Sequence, residues 1–486
     1  MYSTATDRTT QHSFLLVTFA PQIQWAVVLS LTTTDFISKN LRRGEQMKVM
    51  KFGGTSVGKP QRMKEVAALI TGTAEPKIVV LSALSGTTNA LVEISIALSS
   101  NDRNSAKEKI SLLEAHYQQF IVELLESETV LAKGRAILAE HFEFLSIILK
   151  ISFSEALNKD ILAQGELLST KIFSLYLEDK NIDHRLIPAL DFMSLDNQDE
   201  PQVGTIKVKL AQILQKNKEV NIFITQGYIT RNAKGEVDNL KRGGSDYSAS
   251  LIAAAVNASV CEIWTDIDGM HNNDPRVVKN TRPIEQLSFD EAAELAYFGA
   301  KILHPASIWP AQFYNVPVRL LNTMQPNAKG TLITEQAGST GVKAVAAKDS
   351  ITAIKIKSTR MLLAYGFLRK VFEVFEKYKT SIDMITTSEV AVSVTIDSDI
   401  FIKEITKELE AFGTVEIDTN QTIVSIVGNE ITATEQIMHR LFESIIDIPV
   451  RMVSYGGSRH NISLLIPRSY KEQTLQVLNK GLFGLE

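Results

Sequence analysis

Short apolar runs alternate with amphipathic stretches along most of this chain. The runs at 48–52, 78–82, 185–188, 220–225 and 260–265 are too short for buried helices, and several end in Gly or Ser before a helical stretch. Each reads as a buried strand. Strands alternating with helices predict an α/β fold, with a mainly parallel sheet sandwiched by helices. From about 105 to 160 the alternation lapses. Leu112, Leu113, His116, Phe120, Val122 and Leu125 recur there at helical spacing, which predicts a helical insertion.

The pattern changes after the small, polar stretch 336–341, which reads as the start of a linker reaching 350. A β-branched strand at 351–357, a helix at 367–378 and strands at 382–386 and 390–396 come next. A second round has a strand at 422–428, a helix at 433–444 and strands at 450–454 and 461–466. A last helix runs from 469 to about 480, with Gly481 as its stop. Two βαββ units in tandem predict small ferredoxin-like α+β domains. The expected division is therefore a first domain at 47–335, a linker at 336–350, and units at 351–420 and 421–486, with interleaving of the two left open.

Residues 1–46 do not follow this pattern. The apolar stretch 14–31 is broken by Pro21, Gln22 and Gln24, which makes it too short for a spanning helix, and it lacks the flanks of a signal peptide. Met47, directly before the first strand, reads as the start, with 1–46 as a non-native or disordered extension. The 51 basic and 55 acidic side chains leave a net charge of -4 with no basic stripe, which argues against nucleic acid as a partner. The single cysteine, Cys261, excludes an internal disulfide and fits a buried strand position in a reducing, cytoplasmic compartment.

Two glycine-rich strings carry the chemistry. One is Lys51-Phe52-Gly53-Gly54-Thr55-Ser56-Val57-Gly58 at the end of the first strand, and the other is Lys241-Arg242-Gly243-Gly244-Ser245-Asp246. Each sets glycines beside a cation and a hydroxyl, so backbone N–H groups can approach phosphate oxygens. The first nearly matches a P-loop through Gly53, Gly58 and Lys59. It fails at Pro60, which has neither the hydroxyl nor the N–H that the motif needs. Lys51, ahead of the loop, is the better phosphate cation. Phosphoryl transfer is the implied reaction.

These strings, with SALSGTTN at Ser82, QGELLST at Gln164, WTDIDG at Trp264, DPR at Asp274 and FGAKILHP at Phe298, resemble the monofunctional aspartate kinases of the amino acid kinase superfamily, from about Met47 to the end. The tandem C-terminal units resemble the ACT domains of the lysine-sensitive type. The resemblance implies transfer of the γ-phosphoryl of ATP, with Mg²⁺, to the β-carboxylate of L-aspartate, the first step toward lysine, threonine and methionine. A carboxylate with a pKa of about 3.9 is already ionised at neutral pH, so such a site needs charge neutralisation and alignment, not a general base. Another kinase of the same fold, or a silent amino-acid sensor, stays open as an alternative.

By the same resemblance Lys51 and Asp246 are catalytic, with Asp246 orienting Lys51 or helping hold the metal. Thr88, Glu166, Arg242 and Ser245 bind substrate: Arg242 takes the α-carboxylate and Glu166, read as starting a helix, takes the ammonium. Lys51, Gly53, Gly54, Ser56, Thr265, Asp266, His271, Asp274, Arg276 and Lys301 bind nucleotide. His304 reads as structural, and no side-chain metal site is assigned. One departure is Asp238-Asn239-Leu240-Lys241 before the glycines, which puts an added Lys241 beside the phosphates or in solvent. Effector binding by lysine falls to Met361, Gly366, Phe367, Leu368, Ser381, Ile382, Asp383, Ser388 and Glu389, with the effector buried between two chains of a homodimer or larger homo-oligomer.

Overall fold

The computed structural model describes residues 47–241, 243–299, 303–336, 338–358 and 365–485. Arg242, Lys301, Met361 and the whole of 1–46 lie outside the described residues. Starting at Met47, whose side chain is fully buried, strand β1 (Lys48–Phe52) leads into a helical turn, Gly54–Val57, and helix α1 (Pro60–Thr71). Pro60 sits at the first turn of α1, where a missing N–H costs nothing. Strand β2 (Lys77–Leu81) follows, and then four helices: α2 (Thr87–Ser99), α3 (Arg103–Leu124), α4 (Glu128–Ile148) and α5 (Glu155–Asp179). The expected helical insertion is thus α3 and α4, between α2 and α5.

Next come β3 (Arg185–Leu186), α6 (Val203–Lys216), β4 (Ile222–Gln226) and the hairpin β5 (Ile229–Arg231) and β6 (Val237–Asn239). Then follow α7 (Gly244–Val256), β7 (Val260–Thr265), β8 (Gln286–Ser288), α8 (Phe289–Tyr297), α9 (Pro305–Phe313), β9 (Val318–Asn322) and β10 (Thr331–Thr334). The sheet order is β3-β4-β2-β1-β7-β9-β10-β8, parallel from β3 through β9, with β10 antiparallel to β9. One apolar cluster, with Phe52, Val79 and Leu81, covers one face; another, with Val49, Ile78 and Ile263, covers the other. The parallel strands therefore end on one edge, and β1 at its centre parts chain connections running to either side. Open parallel sheets bind ligands at such a switch point.

The C-terminal third forms one six-stranded antiparallel sheet in which the two units interleave, the arrangement left open by the sequence. Strands β11 (Gly341–Lys357), β12 (Ile385–Thr387), β13 (Ala391–Ile396), β14 (Thr414–Asn429), β15 (Met452–Ser454) and β16 (Asn461–Pro467) stand in the order β12-β13-β11-β14-β16-β15. Helices α10 (Phe367–Lys377) and α11 (Ile402–Leu409) pack over one half, and α12 (Ile437–Ser444) and α13 (Lys471–Phe483) over the other. The stretch read as linker is strand from Gly341 onward. Val342, Ala344, Val345 and Ala346 pair with 425–428 of β14, so the first half of β11 belongs to the second unit.

Smaller boundaries moved as well. The helix expected at 433–444 begins at Ile437, after a 3₁₀ turn at Ile431–Ala433, and the strand expected at 382–386 begins at Ile385. The last helix passes through Gly481, which packs against Ser444, and stops at Gly484 in the left-handed conformation that favours glycine.

The two parts are not strung loosely together. Leu295 and Phe298 of the first part share one buried cluster with Ala346, Ile423 and Leu465 of the second. Asn272 and Asn273 reach α13: Asn272 donates to the Asn479 Oδ1 at 3.2 Å, and Asn273 donates to the Leu475 carbonyl at 2.9 Å.

Candidate active site

Five strand ends, those of β1, β2, β4, β7 and β9, build the site. Lys51 on β1 meets Asp246, in the first turn of α7, at 2.6 Å, and both side chains are largely buried. A carboxylate at a helix N-terminus is favoured by the helix dipole, and the ammonium opposite compensates the rest of its charge. The pair fixes the direction of Lys51 at the mouth of the glycine loop.

The close approach of loops explains the glycines. A Cβ on Gly54 would stand 2.9 Å from the Ala83 carbonyl, and one on Gly227 would stand 2.4 Å from the Ser245 side chain. Gly54 therefore lets the loop after β1 lie against the loop after β2. Gly227 lets the end of β4 lie against α7. Ser82 donates to the Ser245 Oγ at 2.9 Å, and Ser169 donates to the Ser82 carbonyl at 2.6 Å. This ties β2, α5 and α7 into one wall.

Glu166 stands in that wall. Its residue lies midway along α5, not at a helix start, because the helix begins eleven residues earlier at Glu155, capped by Ser154. Gly165 beside it lets α5 press against Ala83. Only 4% of Glu166 is exposed. Its Oε1 accepts from the Ala83 N–H at 3.3 Å, while Oε2 is buried with no partner among the described residues. Burial pushes its pKa up to about 7, against the opposing pull of the backbone hydrogen bonds. A buried carboxylate with a free oxygen is a receptor for a cation.

Ser245 and Asp246 therefore lie together at these strand ends, Asp246 on Lys51 and Ser245 on Ser82. Thr88 is exposed in the first turn of α2, and the neighbouring Thr87 is bonded to Tyr117 at 3.0 Å. Lys241 pairs with Asp199 at the surface, and Lys159 pairs with the buried Asp238 at 2.8 Å. The departures before Arg242 thus act as ties that hold the β5–β6 hairpin.

On the expected nucleotide side, Gly53 hydrogen-bonds the Trp264 carbonyl at 3.4 Å, and Thr265 ends β7 with Asp266 exposed beyond it. Ser56 is fully buried and bonded to Thr323 at 2.7 Å, so its hydroxyl is committed to the end of β9. His271 engages both ring nitrogens, with Asp268 and Thr281 at 2.8 Å each, which leaves only its ring face to a ligand. Asp274 and Arg276 form a bidentate pair at 2.8 and 2.9 Å, which holds the Asp274 carboxyl below the usual carboxylate range. His304 caps α9 by accepting from the Ala306 N–H at 3.2 Å, the structural role expected of it.

Sequence reasoning missed Tyr228 and Thr323. Tyr228 follows Gly227 with φ at 65°, a strained conformation for a bulky residue, and lies within the electrostatic reach of Glu166. Thr323 donates to the Thr265 carbonyl at 2.8 Å. Both sit just past the ends of parallel strands, the one signal that could have found them.

The expected effector residues fall in two places. Gly366, at φ 78°, caps α10, with Phe367 buried and Leu368 partly exposed. Ser388 and Glu389 are exposed beyond β12, and Ser388 lines a groove with Lys355 and Lys357. Ile382 packs into the core of the first unit, and Ser381 is exposed. Asp383 points the other way, toward α8, with no exposed side-chain surface. Five residues of extended chain, about 17 Å, separate it from Ser388.

Comparison with known proteins gives two family matches: the amino acid kinase family over residues 46–322 and the ACT domain over 424–482. The chain is 33% identical to the lysine-sensitive aspartokinase 3 of Escherichia coli, over 90% of this chain and 99% of that one. It is 34% identical to the chloroplastic aspartokinase 1 of Arabidopsis thaliana, over 90% and 80%. The crystal structure of E. coli aspartokinase III with aspartate and ADP, called the R-state, matches with a TM-score of 0.77 at 32% identity, covering 90% of this chain and all of that one. Its counterpart with lysine and aspartate, called the T-state, matches with a TM-score of 0.75 at 33% identity over the same shares.

Proposed function

Because the chain belongs to the aspartokinase family of amino acid kinases, we propose that its strand-end site phosphorylates the β-carboxylate of L-aspartate with MgATP and that lysine inhibits it through the C-terminal units. The observation that carries the reading is Glu166. Its free, buried oxygen receives the substrate ammonium, which fixes one end of aspartate and leaves the β-carboxylate toward Lys51. Held in line with the γ-phosphorus, that ionised carboxylate attacks without a base. Lys51, aimed by Asp246, neutralises charge on the phosphoryl oxygens as they transfer. Ser245, braced by Ser82, supplies a hydroxyl to the substrate, and Arg242 is assigned the α-carboxylate.

The donors fit a metal that arrives with the nucleotide. Among the described residues no cluster of three or more acidic, His or Cys side chains could hold an ion alone. Asp246 is the carboxylate placed to hold Mg²⁺ with the phosphates and water, where it would offset phosphate charge. No described helix is long and apolar enough to cross a membrane. A homodimer through the first C-terminal unit accords with the exposed Tyr365, Phe372 and Val390 there.

A hydroxamate-trapping assay with aspartate and MgATP, with and without lysine, tests the whole reading. Hydroxamate that needs aspartate and falls with lysine is the expected result. A folded protein that yields none overturns the kinase assignment, and activity indifferent to millimolar lysine overturns the effector.

A further inference from the structure

None of the residues assigned to the site lies on the inserted helices α3 and α4, yet each of these helices sends one buried polar side chain toward it. Their packing on α2 and α5 is mostly apolar, and ties such as Lys109 to Glu93 and Lys133 to Glu178 lie at the surface. Two polar contacts are buried instead. Tyr117 of α3 is hydrogen-bonded to the Thr87 hydroxyl at 3.0 Å, and His141 of α4 is hydrogen-bonded to Gln164 of α5 at 2.6 Å. The first ends on the residue before Thr88, and the second ends two residues before Glu166.

Thr87 opens α2, a helix whose first turn has no side-chain cap and is entered through Gly86 at φ 84°. An uncapped first turn lacks a local brace. Tyr117 supplies one from α3. It is fully buried, and burial, with the Glu166 charge adding to it, raises its pKa and keeps the hydroxyl protonated. The Thr87 methyl in turn lies against Gly165, where a Cβ would stand 3.4 Å from it. Tyr117, the first turn of α2 and the Gly165-Glu166 step thus stack on one another.

The proton on His141 is placed by its partners. The Lys171 ammonium, 2.9 Å from Nε2, can only donate, so Nε2 accepts, and Nδ1 carries the proton that goes to the Gln164 Oε1. Burial and the Lys171 charge both lower the His141 pKa, which keeps the ring in this neutral form. Gln164 and Lys171 share the face of α5 that meets α4. Glu166 and Ser169 face the other way, toward the Ala83 N–H and the Ser82 carbonyl. Helix α5 is therefore held on both sides around Glu166.

We propose that Tyr117 and His141 are positioning residues for aspartate, holding the first turn of α2 and the middle of α5 at the separation that lets Thr88 and Glu166 grip one substrate. The inference rests on the aspartate-kinase reading and gives the helical insertion a part in it. Loosening this wall weakens the grip on aspartate. The phosphate side, built on β1 and β7, is held by other contacts and should not respond.

The test uses full-length protein, with ADP release followed while aspartate and MgATP are varied separately, and with urea midpoints measured on the same preparations. Tyr117→Phe and His141→Leu should each raise the KM for aspartate by about fivefold or more. The KM for ATP should change by less than about twofold and kcat by less than about threefold. His141→Asn, whose amide can donate to Gln164 in place of Nδ1, should return the KM for aspartate to within about twofold of wild type. Leu131→Ala, a buried apolar change near the start of α4, should lower the urea midpoint and leave both KM values alone. Tyr117→Phe and His141→Leu proteins that lose urea stability but keep the wild-type KM for aspartate would overturn the proposal. An equal rise in both KM values, or a KM for aspartate that rises as far in Leu131→Ala, would overturn it too. Wild-type protein that releases no ADP in response to aspartate would instead remove the kinase reading, and this proposal with it.

Discussion

Replacing Glu166 by Gln should move stability and activity in opposite directions. Burial lifts the Glu166 pKa from 4.5 to about 7, a gap worth about 3 kcal/mol. Between those two values the folded protein keeps a proton that the unfolded chain releases, so stability falls as pH rises through the window and levels off above about 7. Glutamine has no such proton. At pH 8 the variant is relieved of that charge but still buries an amide, at a cost of about 1–2 kcal/mol, so its net stability should rise by about 1–2 kcal/mol. Activity should collapse, because a buried carboxylate paired with an ammonium is worth about 2–5 kcal/mol to binding, or about 30- to 5,000-fold in kcat/KM for aspartate. The KM for ATP should change by less than about threefold. In the wild type kcat/KM for aspartate should fall about tenfold per pH unit below about 7, since a proton on Glu166 takes the place of the substrate ammonium. The variant should show no such slope. Denaturant midpoints and coupled ADP-release kinetics from pH 5.5 to 8.5 supply both readouts. The same acid slope in both proteins, or a variant less stable at pH 8, would refute the assignment of Glu166 as the ammonium receptor.

Four further changes probe the frame of the site. Lys51→Met should lower kcat by about 1,000-fold or more, with aspartate binding by calorimetry within a few-fold of wild type; an intact kcat would exclude Lys51 from the transferring phosphoryl. Gly227→Ala drives a methyl into Ser245, 2.4 Å away, and displacement of that wall by about an ångström should cost about 100-fold in kcat/KM, visible in steady-state kinetics. Lys77 is fully buried and donates to the Ile70 and Thr73 carbonyls at 2.6 Å each, so Lys77→Met should cost about 1–3 kcal/mol in urea denaturation and leave KM values alone. Asn479→Leu breaks its bonds to Asn272 and to the Asn280 carbonyl, both 3.2 Å, and should raise the KM for ATP more than that for aspartate.

Much of this protein is settled by local chemistry. The apolar runs marked five strands of the first sheet, and glycine beside a cation at the end of β1 marked the candidate phosphate site, because strand termini and tight loops depend largely on neighbouring residues. Lys51, Ser245, Asp246 and Glu166 stand out as candidates for the same reason, each set in a short string with a demanding geometry. What depends on partners far away in the chain was not legible. The length of β11 comes from pairing with β14, some 80 residues on, so its first half looked like a linker. The place of Glu166 within α5 depends on a cap, Ser154, ten residues before the string that marks it. Tyr228 and Thr323 reach the site only because parallel strands from across the sequence end on one edge. The sequence alone made Asp383 one carboxylate among several in a plausible effector string. Only the packing of α8 against both sensor units buried it, gave one oxygen to Lys348 and Tyr297, and left the other without a partner among the described residues, since the cost of burying a charge is set by whatever the fold brings against it.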